Sequence, residues 1–586
     1  MRGKGKRLRL RAEHGIEDGA QVGLKPIQAL GRPVKPCYRR FANLADALGT
    51  NPLLSRYLAE ANMGVAPAGY AAVVMNYTVL SIPFFAAASI LLGFFLNSLL
   101  PLFFLAGPLV VFSLLFYYPK VRSRMRAEAL ENELPALATY AAMAGSAGVS
   151  TYGVLEGLAS KPSPLEACKT EGAEVVKTST WFTKDPLVAI EQMSTKHPSL
   201  QYRAWLSGLI YVTRTGGALA KHLEEAADRA TEQLEQMWLS FAERAVDMGN
   251  MVMMAYSFVP LLVFVMVTIF ASNVPNFALL SMYVFVVSPL TTVGMLLMVE
   301  RVVPRTPEET RIFYVRAIPW LVVGVVVGIV LFFFVGLKAY VALAIALIVF
   351  SAPGCMAFEV ANRNERAVEK YLPEFLADVA ESKRIGQELE RAIPRIAQIS
   401  RYSQPLNQIL KILAVNIETG APIPRAVQLA MARLRGWFGK VVFFLLQEAF
   451  LTGGGTVIMF ERLTKFTRNY IETRNRIRRD LRTHVAMYYV TAIIVIAAVV
   501  LVLRFALLPQ SALFGAIAGG LIPMTVPSPE QVEALVTLIM TGVVINSFEL
   551  GLLAGKVAEG PLVSGLKHCA AATAITLGAF VVAGIV

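Results

Sequence analysis

Apolar residues in this chain fall in long blocks, separated by stretches whose apolar positions recur at helical spacing. A helix that crosses the hydrocarbon of a bilayer needs about 20 mostly apolar residues. On that measure the pattern predicts nine spans, at residues 70–96, 99–118, 251–271, 277–299, 318–335, 340–358, 485–507, 532–554 and 569–586. A shorter run, 512–524, is glycine-rich and bounded by proline. It reads as an external hairpin or a re-entrant segment.

The connections between spans set the orientation. Lys and Arg fill 1–69, 120–244, 301–316, 363–482 and 556–567, whereas the alternate connections carry only Lys338. Basic connections stay in the cytoplasm. The chain is therefore expected to run as a basic cytoplasmic arm (1–69), spans 1–2 (70–118), a cytoplasmic helical segment (119–250), spans 3–6 (251–359), a second such segment (360–484), and spans 7–9 (485–586). The N-terminus is then cytoplasmic and the C-terminus external. The fold class is all-α, a polytopic membrane protein with two helical-bundle domains inside.

Both long polar segments read as helical. Residues 133–159 place apolar side chains on one face, with Pro135 expected in the first turn, Gly148 at a helix end and Ser150 as the next N-cap. Residues 218–245 alternate Glu, Arg and Lys at spacings that suit i,i+4 pairs, and the plain reading is a solvated face. The second segment repeats the first. Leu134-Pro135 recurs as Leu372-Pro373, and Thr215-Gly216-Gly217 as Thr452-Gly453-Gly454, at offsets that agree to within a single position. Each Thr-Gly-Gly precedes a long charged helix that runs into a span, which indicates internal duplication. The second copy ends in Arg474, Arg476, Arg478, Arg479 and Arg482. These arginines either rest on anionic headgroups and set topology, or form a docking surface for an acidic partner.

Composition agrees with the membrane reading. The chain is 55% hydrophobic and 16% charged, with a mean hydropathy of +0.55; soluble domains carry about 25% charged residues. The net charge of +14 lies beside the apolar blocks, so lipid headgroups are the first expected partner and nucleic acid is not expected. Cys37, Cys168, Cys355 and Cys569 are too dispersed for a CxxC-type metal site. Polar sequence follows the basic N-terminus where a signal peptide would have its apolar core.

Catalytic signatures are missing. The sequence holds no GxxxxGK[ST], HExxH, GxGD or GxSxG, and its five histidines are scattered. The expectation is a protein that is not an enzyme, with no cofactor, metal or catalytic residues. Inside the spans, Glu549 near the end of its apolar run and Asn76 are the polar residues of note. That scarcity argues against a transporter, which keeps ionisable groups at mid-membrane. A transporter or channel with cytoplasmic regulatory domains stays the main alternative, and a membrane-tethered receptor a third.

Glu133-Leu-Pro-Ala-Leu, Ala-Gly148-Val-Ser and Val-Leu-Glu156-Gly-Leu-Ala resemble the start of a type II secretion system F domain. Thr215-Gly-Gly-Ala-Leu, with its charged helix and span, resembles the end. The second copy departs in its middle, with Lys383-Arg-Ile-Gly386 in place of Ala-Gly-Val-Ser and a Glu418-Thr-Gly-Ala-Pro string further on. The C-terminal string through Gly551, Lys556, Gly560, Gly565, Lys567 and His568 is similar to the closing loop of archaeal members, the platform proteins of archaella and archaeal type IV pili. The resemblance covers most of 119–586. It implies a cytoplasmic-membrane platform that receives force from a hexameric secretion ATPase and passes it to prepilin-like subunits. A homodimer is expected beneath a symmetric ATPase.

Overall fold

A computed structural model describes residues 34–96, 105–270, 277–302, 311–399, 401–453, 455–503 and 529–584. Among them every regular element is helical. In chain order these are α1 (Val34–Gly49), α2 (Pro52–Glu60), α3 (Pro67–Leu96), α4 (Gly107–Ser146), α5 (Thr151–Ser160), α6 (Glu166–Thr178), α7 (Pro186–Lys196), α8 (Leu200–Thr215) and α9 (Leu219–Phe270). Then come α10 (Phe277–Met282), α11 (Ser288–Val302), α12 (Arg311–Phe333), α13 (Ala339–Arg384), α14 (Leu389–Gln398), α15 (Gln404–Glu418), α16 (Ile423–Met431), α17 (Trp437–Gly453), α18 (Val457–Val502), α19 (Pro529–Glu559) and α20 (Leu562–Val582). A π-helical turn, Tyr283–Val287, joins α10 to α11.

Side-chain caps and left-handed glycines punctuate this string. Ser150 Oγ accepts from the Gly153 amide at 3.2 Å, as its N-cap reading predicts, and Gly148 turns the chain at φ +83°. Asp185 and Ser199 cap α7 and α8 in the same way, accepting from Leu187 and Tyr202. Pro135 does not open a helix. It lies inside the 40-residue α4, and Thr139 Oγ1 donates to its carbonyl at 2.7 Å. Proline removes one intrahelical donor without stopping a helix that neighbouring packing holds. Pro373 sits likewise inside α13.

Helix positions recur along the chain. Thr151 and Leu389, Glu166 and Gln404, and Leu219 and Val457 each open helices at the offset that separates the two Leu-Pro pairs. Pro186 and Ile423, and Leu200 and Trp437, do so at the offset of the two Thr-Gly-Gly strings. The ends of α4 and α13, Ser146 and Arg384, keep the Leu-Pro offset as well. Gly386, at φ +77°, stands at that same offset from Gly148, so the divergent Lys383-Arg-Ile-Gly386 string keeps the left-handed turn.

The chain divides into two compact units, 1–134 with 155–161 and 166–219, and the remainder. In the first, α1 and α2 pack on the start of α3, and Tyr70 donates to the Leu115 carbonyl of α4 at 2.6 Å. Deeper in this unit Arg126 forks onto both carboxylate oxygens of Glu171 at 2.6 Å, and His197 approaches the same carboxylate. Burial would raise the Glu171 carboxyl, but the His197 ring 3.6 Å away and the hydrogen-bonded Arg126 guanidinium outweigh it and hold the group low. Glu133 Oε2 accepts from the Cys168 amide at the N-terminal turn of α6, at 2.9 Å. Burial pushes this carboxyl up to about 7 against the pull of that amide.

In the second unit, long helices leave the polar region and enter an apolar bundle without a break. The described residues contain seven helices long and apolar enough to cross a membrane, and Ala317–Phe333 is apolar but shorter. The expected span at 99–118 falls partly on 97–104, outside the described residues, as does the run 512–524. Within this unit α19 is the centre of the bundle, with 67% of its apolar window buried against 22–39% for the unit's other five such helices. Around it, Phe264 of α9, Tyr340 of α13, Val495 and Val499 of α18 and Phe580 of α20 form one core. Leu290 and Leu297 of α11 and Val322, Val325 and Phe333 of α12 are exposed, which suits a lipid-facing surface.

Candidate functional site: a basic cleft between α9, α13 and α18

Where α18 approaches its apolar half, Ile477 and Leu481 are buried against Phe241, Ala245 and Met248 of α9. With one face of the helix anchored at this spacing, intervening arginines must turn away. Arg476, Arg479 and Arg482 are exposed and, with half-buried Arg478, line an open cleft of about 880 Å³. Arg366 and Lys370 of α13, one helical turn apart, and Glu235 of α9 complete its walls. The lining holds six cationic side chains against the carboxylates Glu235, Glu369 and Glu472. Glu369 is already engaged: Arg474 donates to it at 2.9 Å, both side chains being largely buried. Arg474 is thus a strut between α18 and α13, and the other four arginines supply the charged surface.

A cleft with this surplus attracts anionic groups, and arginine forks match carboxylates and phosphates. Lys465 pairs with Asp228 at 2.8 Å and Arg462 with Glu224 at 2.6 Å, both across from α18 to α9. The charge pattern of 218–245 therefore serves interhelical pairing as well as solvation. Among the described residues no group of three or more His, Cys, Asp or Glu side chains could hold a metal ion.

The remaining motif residues do structural work. Leu134 and Leu372 are buried core residues. Thr215 Oγ1 donates to the Tyr211 carbonyl and Thr452 Oγ1 to that of Glu448, each four residues back. Gly216, at φ +70°, ends α8, and the Gly217 amide closes on the Val212 carbonyl. In the second copy Gly453 ends α17, Gly454 lies outside the described residues, and Gly455 takes the positive φ. In the C-terminal string, Gly560 turns α19 into α20 at φ +91°. A Cβ on Gly551 would meet the Cys569 backbone at 2.6 Å, and one on Gly565 the Leu552 carbonyl at 2.7 Å. Small residues four apart on α19, Gly551 and Gly555, thereby let the two helices touch, as in membrane helix pairs. Lys556 pairs with Glu300, Lys567 with Glu359 and Glu559, and His568 Nδ1 bonds the Tyr489 hydroxyl.

Sequence reading missed Arg366, Lys370 and Glu235. Their signal was weak: Arg366 and Lys370 lie one turn apart just past an apolar run, which topology alone would explain.

The described helices and their apolar faces define a multi-pass α-helical membrane protein. Residues 375–503, from within α13 to the end of α18, match the family described as type II secretion system (T2SS), protein F, so this stretch is an F domain. That domain occurs in membrane proteins of secretion and pilus-type systems. No curated protein and no solved structure matches the chain.

Proposed function

We propose that this protein is the cytoplasmic-membrane platform of a machine that assembles type IV pilus-like or archaellum filaments. It couples a cytoplasmic hexameric ATPase to the insertion of prepilin-like subunits. The observation that carries the reading is the basic cleft, whose α18 wall, with Arg476, Arg478, Arg479 and Arg482, lies within the F-domain match where α18 passes from charged to apolar sequence. An acidic face of the ATPase would dock there, and the unbroken helices α9 and α18 would convey its movement into the bundle. On this reading the two helical segments are duplicated F domains in the cytoplasm, the N-terminus is cytoplasmic and the C-terminus external, with nine spans in all. The platform works as a homodimer in lipid, has no catalytic activity of its own and binds no nucleic acid.

The test is a pull-down of the detergent-solubilised full chain against its cognate secretion ATPase. Wild type is expected to bind, and a variant with Arg476, Arg479 and Arg482 changed to alanine to lose most binding. Retention by the variant would return those arginines to topology, and failure of both forms against a folded ATPase would overturn the platform reading. One observation favours the transporter alternative: a buried carboxylate, Glu549, inside the bundle.

A further inference from the structure

Glu549 sits on α19 seven residues before Lys556, about 10 Å deeper along the helix axis. Ser288 at the head of α11 donates to Glu549 Oε2. One turn further along α11, Thr292 donates to the Ser288 carbonyl at 2.9 Å, and its oxygen takes the Tyr256 hydroxyl of α9. Asn546, one turn before Glu549, donates through Nδ2 to the Tyr256 carbonyl at 3.2 Å, while its Oδ1 has no partner. The five residues are 2–6% exposed. Three helices thus bring a carboxylate, three hydroxyls and an amide carbonyl together within the apolar bundle.

No Lys, Arg or His pairs with Glu549 among the described residues. The cation nearest along its own helix, Lys556, is engaged by Glu300. Beside it the packed elements carry the phenols of Tyr256, Tyr283 and Tyr488 and, on α20, Cys569 and His568; the lysine of α20, Lys567, is engaged by Glu359 and Glu559, and the α18 arginines Arg479 and Arg482 line the basic cleft. An isolated carboxylate in such surroundings is strongly disfavoured, so the site requires one positive charge from solution. A donor set made only of oxygens, with a single negative charge, suits a hard monovalent cation. Divalent calcium usually recruits several carboxylates.

We infer that Glu549, Ser288, Thr292, Tyr256 and Asn546 form a monovalent-cation site within the membrane bundle, filled by a proton or by sodium at the same carboxylate. Occupancy ties α9, which carries a charged polar helix into the bundle, to α11 and the central α19. The inference stands independently of the filament reading.

The test is infrared difference spectroscopy of the full chain in liposomes, wild type against Glu549→Gln, at neutral pH in N-methylglucamine buffer with and without sodium. A protonated carboxyl stretch that is lost in the variant is expected without sodium. Its replacement by a carboxylate band when sodium is added, with a rise in melting temperature, assigns sodium as the ligand. A band that sodium leaves unchanged assigns the proton. A carboxylate band already present without sodium overturns the site. Should Glu549→Gln fail to fold, Ser288→Ala supplies the comparison, since losing that hydrogen bond shifts the Glu549 band.

Discussion

Arg462 on α18 and Glu224 on α9 lie 2.6 Å apart and occupy equivalent places in the duplicated pattern, at the offset that separates the two Leu-Pro pairs. One turn on, Lys465 and Asp228 repeat the arrangement at a sequence separation of 237. The paired helices are the ones that open at Leu219 and Val457. Glu224 and Arg462 are thus one corresponding position that carries an acid in one copy and a base in the other, so the equivalent helices attract there where identical residues would repel.

That complementarity is testable by charge exchange. Glu224 is half exposed, so its pair with Arg462 is worth only about 1 kcal/mol. Arg462→Glu and Glu224→Arg should each lower the melting temperature of the solubilised protein, and the double exchange should recover most of the loss. Additive losses would show that the contact contributes nothing.

Arg474 should behave unlike its neighbours. Removing one member of a largely buried pair strands the other, so Arg474→Ala is expected to cost about 2–3 kcal/mol. Arg476→Ala and Arg479→Ala, on the exposed face, should stay within about 0.5 kcal/mol of wild type. Urea unfolding of the three variants separates the strut from the surface.

The α19–α20 turn depends on the absence of side chains. A Cβ on Gly555 would lie 2.2 Å from the Gly565 Cα, so Gly555→Ala must push the helices apart at a cost of about 1–3 kcal/mol. Gly578 on α20 has open space around it, and Gly578→Ala should be neutral or mildly stabilising. Protease cleavage near residue 560 in the first variant and not the second would establish the difference.

Glu133 sets a pH dependence. Its carboxyl is raised to about 7 in the fold and returns to about 4.3 on unfolding. The folded state therefore binds more protons between those values. The associated stability is complete below the lower value and is lost as pH rises through the upper one, by as much as about 3 kcal/mol. Wild type should melt at a lower temperature at pH 8 than at pH 6, with Glu133→Gln showing a shallower slope. Equal slopes would remove Glu133 as the cause.

Much of this architecture was legible in one dimension. Gly148, Ser150 and Gly560 mark turns where local backbone geometry demands them, and such demands are written in a few adjacent residues. Apolar runs announce the bundle because a bilayer imposes a minimum helix length. Pro135 misled because a proline ends a helix only when nothing else holds it. The cleft was half legible. Its arginines stand together on α18, but Arg474 differs from Arg476 only through Glu369, which lies 105 residues away on another helix.

By itself the sequence determined the helical class, the apolar helices, the recurrent register of helix starts and the presence of an F domain, matched at 375–503. All of these are periodic or local properties. Tertiary structure alone decided which charges meet: Glu224 with Arg462, Lys567 with Glu359 and Glu559, and Glu549 with hydroxyls in place of a cation. Pairing depends on distance in space, and helix periodicity gives a side chain its face without naming what that face will touch.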